Sequence, residues 1–375
     1  MLLFTPGPTP VPESVRLAMA EPTLHHRTPE FEAIFKETRE LLFELFATDE
    51  VVMLASTGTG AMEAAVTNLC NDTLLNINSG KFGERFGKIA QAHGLNSVEI
   101  RHEWDTPATV EEVLEALKAN PSIDTIAIQI SESAGGLRHP VEEIAKAVKE
   151  IRPDVMIIAD GITAVGVERI DVSSIDCLIA GSQKALMLPP GLAILGLSKA
   201  SMEKIGTGKG YYFNLASEIK KQQQNTTAYT AATTLIIGLG EVLRQINANG
   251  GLGKLYCDTA RRAKSTRLAL EALGLHSYPK TPARSMTTID DEDAAEIRNI
   301  LKADLGVNVA GGQDHLKGKI FRINQMGLIE PYEMVAVVNA VELALAKLGR
   351  REFDGTASRV FNEEYFKSML KKEEK

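Results

Sequence analysis

The 375-residue sequence predicts an α/β protein with a large, mostly parallel seven-stranded sheet covered by helices, followed by a smaller C-terminal α/β domain. Three observations carry this. Between about residues 50 and 200, seven short apolar, β-branched runs alternate with amphipathic stretches, the pattern of βαβ units around a parallel sheet. Beyond residue 200 that rhythm gives way to long helical patterns and then to a second, shorter set of alternating elements. The chain is also about two to three times the usual length of one domain.

The strand candidates are 51–55, 73–76, 97–101, 123–130, 155–159, 175–180 and 192–197. The unbroken apolar character of Val155-Met156-Ile157-Ile158-Ala159 suits a strand covered on both faces. Helical patterns fall at 61–69, 82–92, 109–117 and 141–151. A polar stretch at 218–227 precedes helical patterns at 234–248 and 252–273, separated by Gly250-Gly251. The smaller domain then reads as strands at 285–289, 307–309 and 320–323 with helices at 292–305 and 330–348. From Arg350 on, Val360, Phe361, Tyr365, Phe366 and Leu370 recur at helical spacing, which predicts a packed terminal helix with a frayed, charged end.

Composition narrows the function. Lys and Arg number 41 against 49 Asp and Glu, a net charge of −8, which disfavours nucleic acid as the main partner. No apolar run approaches the roughly 18 residues needed to span a bilayer, and the N-terminus lacks the basic and apolar regions of a signal peptide. Cys70, Cys177 and Cys257 are far apart and form no CxxC pair, so neither a disulfide framework nor a metal site is expected. A cytoplasmic protein is the expectation.

Ligands of open parallel sheets sit beyond the carboxyl ends of strands. After the first strand, Ser56-Thr57-Gly58-Thr59-Gly60-Ala61-Met62-Glu63 is a small-residue turn opening a helix, where free N–H groups and the helix dipole attract an anion. The same turn also reads as a tight connection with a threonine cap, and it lacks the GxxxxGK[ST] spacing of a nucleotide loop. Asp160 ends the fifth strand, where a lone buried carboxylate is costly, although it also reads as a turn cap. Lys184 follows the sixth strand in Ser182-Gln183-Lys184-Ala185, a setting in which a lysine can lose its proton and act as a nucleophile. An anion turn, a carboxylate able to pair with a protonated ring nitrogen, and a lysine 24 residues beyond it form the set that pyridoxal phosphate requires.

The sequence resembles the class V branch of the fold-type I pyridoxal-phosphate enzymes, in particular the alanine–glyoxylate and serine–pyruvate aminotransferases. The matching stretches are Pro6-Gly7-Pro8-Thr9, His26-Arg27-Thr28-Pro29-Glu30-Phe31, Gly58-Thr59-Gly60-Ala61-Met62-Glu63-Ala64, Gly80-Lys81-Phe82-Gly83-Glu84-Arg85, Glu132-Ser133-Ala134-Gly135-Gly136, Ala159-Asp160, Gly181-Ser182-Gln183-Lys184-Ala185, Pro189-Pro190-Gly191 and Phe321-Arg322-Ile323. They run from the N-terminus past residue 320 in the family's order.

The resemblance implies roles for individual residues. Lys184 would bond the cofactor and carry the transferred proton, and Asp160 would keep the pyridine nitrogen protonated. Gly58, Thr59 and Gly60, through backbone N–H groups, and Gln183 would hold the phosphate. Phe82 and Ile162 would pack on opposite faces of the ring, and Ser133 would hydrogen-bond near the ring hydroxyl or phosphate. Gly7 and Arg322 would lie in the substrate site, the arginine binding a carboxylate through its planar fork. Asn225-Thr226-Thr227-Ala228-Tyr229-Thr230 resembles the segment that crosses a dimer interface, which would bring Thr227 and Tyr229 to the neighbouring subunit's phosphate and make a homodimer with shared sites. The implied division is an N-terminal segment, 1–15, contributing to the active site and the small domain, a cofactor-binding domain at 16–248, a small domain at 249–349 and a helical tail at 350–375.

The implied activity moves an amino group from alanine or serine to glyoxylate or pyruvate by a ping-pong mechanism. A phosphonate aminotransferase, a lyase of the same fold, and a non-catalytic subunit that retains the fold are the alternatives. A cysteine desulfurase is disfavoured, because Gln183 precedes the lysine where that family has histidine and the loop Gly311-Gly312-Gln313-Asp314-His315 has no cysteine. A dinucleotide-binding enzyme is disfavoured because GxGxxG is absent and Lys184 would be left without a role.

Overall fold

The structure, a computed structural model, describes residues 1–370. All seven expected strands form one sheet, in the spatial order Glu50–Leu54, Ala193–Leu197, Cys177–Gly181, Met156–Asp160, Ile123–Gln129, Thr73–Asn78 and Asn96–Arg101. Every neighbouring pair is parallel except the two made by Ala193–Leu197, which runs antiparallel to both its neighbours. Glu50–Leu54, Ala193–Leu197, Cys177–Gly181 and Met156–Asp160 are buried along their whole length because helices cover both faces of the sheet. One face packs Val51, Ile157 and Leu178 against Phe31, Phe35 and Leu42 of the helix Pro29–Phe46. The other packs Val52, Ile158 and Ile179 against Met62, Val66 and Phe86 from the helices Gly58–Leu69 and Lys81–Ala92.

The small domain carries a five-stranded sheet in the order Leu2–Phe4, Val307–Gly311, Ile320–Asn324, Met286–Asp290 and His276–Ser277. Its first strand comes from the N-terminus of the chain and lies parallel to Val307–Gly311, so Leu3 pairs with Asn308. Helices Gly251–Glu271, Ala294–Ala303, Pro331–Lys347 and Thr356–Tyr365 close the core over Phe321 and Ile323. Phe361 and Tyr365 of the last of these are buried there, at roughly 1.5–3 kcal/mol for each large apolar side chain removed from water. The expected charged end at 371–375 lies outside the described residues.

Several elements appear that the sequence reading does not place. The helices Glu13–Ala20, Pro29–Phe46, Lys199–Ile205 and Leu215–Gln222 are among them, the last occupying part of the stretch read as polar connection. Glu13–Ala20 runs through the division expected after residue 15 and seats Val15 in the large-domain core, beside Ile236 and Leu239. Between Phe4 and Glu13 the chain therefore crosses from the small sheet to the large domain, and this crossing brings Pro6 and Gly7 against Lys184. Among the described residues no helix is long and apolar enough to cross a membrane.

Candidate active site

Three strand ends on one edge of the large sheet supply the first group of residues. Asp160 closes Met156–Asp160, Lys184 lies three residues beyond Gly181, and the turn Ala55–Thr57 leads from Glu50–Leu54 into the helix Gly58–Leu69. Asp160 is buried and its Oδ1 accepts the Ile162 N–H at 2.9 Å. Burial pushes its carboxyl up to about 6, opposed by the Ile162 N–H and by the positive charges of Lys184 and Arg85. Lys184 Nζ donates to the Pro6 carbonyl at 2.6 Å. Burial, reinforced by the Arg322 charge, pulls the ammonium down to about 8 against the attraction of Asp160 and Glu132. Burial thus moves both groups towards neutral pH, from opposite sides.

The turn beside them is an anion cradle. Thr57 stands at the helix N-cap with no side-chain capping bond. Among the described residues the N–H groups of Gly58 and Thr59 have no acceptor. The Gly60 N–H donates to the Thr57 carbonyl at 2.9 Å. Glycine is also required at position 60 by size, since a Cβ there would overlap Ser56 Oγ. Gly58 has the same need, because Ile162 Cδ1 fills the space its Cβ would take. Gln183 has a buried Oε1 without a hydrogen-bond partner, an acceptor that only a donor group would satisfy.

Arg322, on the strand Ile320–Asn324, arrives from the small domain and is buried. Its Nε donates to the Gly311 carbonyl at 3.1 Å, its Nη2 to the same oxygen, and its Nη1 to the Ser133 carbonyl of the large domain. These bonds use three of the five guanidinium donors on neutral oxygens and leave one N–H on each Nη for a further acceptor. Burial pulls the Arg322 pKa down to about 10, with Glu132 opposing and Arg298 adding to the shift.

Glu132 escaped the reading of single residues. It is fully buried and gathers three backbone donors: Phe82 N–H at 3.0 Å and Gly83 N–H at 2.9 Å on Oε2, and Ala134 N–H at 2.9 Å on Oε1. These bonds pin the start of the Phe82 helix to the Ser133 loop. Burial pushes its carboxyl up to about 7, and the Asp160 charge adds to that push. Its signal was a carboxylate at the end of the apolar run Ile126–Ile130, a costly place for a charge without partners.

Hydrogen bonds and close approaches bring Gly7, Gly58, Thr59, Gly60, Phe82, Ser133, Asp160, Ile162, Gln183, Lys184 and Arg322 to one region where the two domains meet. Thr227 and Tyr229 line a pocket with Leu54 and Ala55, next to the turn that opens the helix Gly58–Leu69. Thr227 Oγ1 donates to the Tyr229 carbonyl, the Tyr229 hydroxyl donates to the Tyr211 carbonyl at 2.8 Å, and the Tyr229 ring stacks on exposed Tyr212.

Comparison with known proteins agrees with this geometry. The family model described as Aminotransferase class-V matches residues 1–327. An uncharacterized aminotransferase of Helicobacter pylori is 50% identical, covering 98% of this chain and all of its own length. A protein of Anabaena cylindrica named soluble hydrogenase 42 kDa subunit is 33% identical, covering 96% of this chain and 99% of its own. A serine–glyoxylate aminotransferase of Methylorubrum extorquens is 28% identical, covering 94% of this chain and 93% of its own. The solved aspartate aminotransferase of subgroup IV from Thermus thermophilus superposes with a TM-score of 0.86 at 32% identity, covering 92% of this chain and 99% of that one. The chain belongs to the class V aminotransferases.

Proposed function

We propose that the protein is a homodimeric, cytoplasmic, pyridoxal-phosphate-dependent aminotransferase that moves an amino group from alanine or serine to glyoxylate or pyruvate by a ping-pong mechanism. The observation that carries this is the meeting of Lys184, buried Asp160 and Arg322 beside a glycine-lined anion cradle. The residues present fit the cofactor. Free N–H groups at Gly58 and Thr59 and the Gln183 Nε2 donors would hold its phosphate, Asp160 its ring nitrogen, and Phe82 and Ile162 its two faces. Bound there, the cofactor supplies an electron sink for the pair left behind when a substrate carbon loses its proton.

The protein's own groups do the rest. Arg322 fixes the substrate carboxylate with its remaining Nη donors and so orients the Cα–H bond towards Lys184. Lys184 Nζ, held near pH 8 by burial and by Arg322, takes up the Cα proton in one half-reaction and returns one in the other. Asp160, ionised above about pH 6, keeps a negative charge in the site and so holds a proton on a ring nitrogen.

The choice of a small donor and of glyoxylate as acceptor is supported by the resemblance and by the name of the Methylorubrum relative. The name of the Anabaena relative favours a second reading, a subunit without catalytic work. The intact set of Lys184, Asp160 and Arg322 argues for catalysis, because a fold kept only for binding needs none of the three. Incubating the protein with L-serine or L-alanine and glyoxylate tests the proposal: glycine should form together with the donor's 2-oxo acid. No glycine from either donor overturns the proposed substrate pair.

A further inference from the structure

Arg85 is a half-buried cation that no charged partner claims. Among the described residues it makes no ion pair, and its one hydrogen bond runs from Nη1 to Thr59 Oγ1 at 2.8 Å. Its guanidinium carbon lies 4.8 Å from the centre of the Phe82 ring. Phe82 and Arg85 are three residues apart on the helix Lys81–Ala92, so they share a face one turn apart. Thr59 belongs to a different element, the first turn of Gly58–Leu69. One guanidinium therefore ties the aromatic ring to the anion cradle, two parts of the site that reach it from separate helices.

The chemistry of that placement is specific. A guanidinium stacks on an aromatic face through the ring quadrupole and still donates in its own plane, which a lysine ammonium does not reproduce. Glu132 fixes the backbone at Phe82 by accepting its N–H, but leaves the ring free to turn. The Arg85 guanidinium lies over that ring. The positive charge also falls where the cradle would receive a phosphate and where it favours the ionised form of Asp160.

The geometry points to Arg85 as a positioning residue that sets the Phe82 ring and the Thr59 hydroxyl together, so that platform and cradle grip one ligand, an aromatic ring bearing a phosphate. This rests on the proposed cofactor and goes beyond it by assigning a part to a residue that touches neither strand end nor lysine.

The test is binding of pyridoxal phosphate to the apoprotein, followed by protein fluorescence and by the absorption spectrum of the complex. Arg85→Met, which keeps the apolar stem, should raise Kd about tenfold to a hundredfold, from the loss of one cation–π contact and one charge-assisted hydrogen bond. It should also shift the cofactor's absorption band. Arg85→Lys should recover only part of the affinity. In a Phe82→Ala/Thr59→Ala background the further change Arg85→Met should alter Kd less than about threefold, because both partners are already gone. Wild-type Kd and an unmoved band in Arg85→Met overturn the inference, as does wild-type binding in Arg85→Lys should the methionine variant not fold. If the wild-type protein binds no pyridoxal phosphate, the functional proposal itself fails, an outcome distinct from these.

Discussion

A Cβ on Gly7 would stand 2.6 Å from Lys184 Nζ, because the N-terminal crossing runs directly over the lysine with the Gly7 backbone at φ +113°. That backbone conformation favours glycine, and the lysine side chain leaves no room for anything larger. The next residue back, Pro6, gives its carbonyl to the same Nζ. A segment anchored in the small sheet is thus part of the lysine's immediate surroundings.

Gly7→Ala should therefore displace the Lys184 side chain while leaving both cores untouched. We expect kcat to fall about a hundredfold or more, with circular dichroism unchanged, since a misplacement of about 1 Å is enough for a loss of that order. Steady-state kinetics beside a thermal melt would check it. Wild-type kcat would remove Gly7 from the site.

Asp160→Asn should make the apoprotein more stable and less able to hold the cofactor. Burial raises the Asp160 pKa to about 6 in the fold from 3.8 in the open chain, so its charge opposes folding above about pH 6. That cost shrinks as pH falls and is gone below the open-chain value. The gain from asparagine should be about 1–3 kcal/mol at pH 7–8 and vanish towards pH 4. Denaturant titrations of both proteins across that range measure it, and a gain independent of pH would contradict the assignment.

Arg322→Ala should raise KM for the amino donor and the 2-oxo acid about tenfold to a hundredfold, the worth of a bidentate carboxylate contact. Arg322→Lys should rescue little, because an ammonium cannot reproduce three bonds to the Gly311 and Ser133 carbonyls and a fork for substrate as well. Unchanged KM values in both variants would place the carboxylate elsewhere.

Thr227 and Tyr229 line a pocket with Leu54 and Ala55, and the resemblance assigns both to a neighbouring subunit's phosphate. Co-expressing Lys184→Ala chains with Tyr229→Ala chains should restore activity that neither homodimer has, because a mixed dimer contains one site with both residues intact. No recovery in a purified mixed dimer would return Tyr229 to a local structural role.

What could be read from the chain followed from how local each signal is. The strands Met156–Asp160 and Cys177–Gly181 are buried on both faces and announce themselves as unbroken apolar runs. Asp160 and Lys184 were legible because each interrupts or ends such a run. The helix Pro29–Phe46 was not placed, although Thr28 caps it by accepting the Phe31 N–H and Pro29 opens its first turn, a start signal present in the sequence. Leu215–Gln222 is short and polar on one face, and its burial against Met53 through Gln222 is a tertiary fact. The pairing of Leu2–Phe4 with Val307–Gly311 joins residues some 300 positions apart, which no periodicity encodes. Arg85 and Glu132 lie in motifs visible in the sequence, but what they do depends on which backbone groups and rings the fold brings beside them.

The central claim, that Lys184 and Asp160 form the working centre of an aminotransferase, is tested most directly by the absorption spectrum of the protein with pyridoxal phosphate before and after L-alanine or L-serine. A band near about 410–430 nm should move to about 330 nm in the wild-type protein, and Lys184→Ala, which lacks the amine that bonds the cofactor, should show no such conversion. A wild-type band unmoved by both amino acids, or one that moves as fast in Lys184→Ala as in the wild type, would contradict the account.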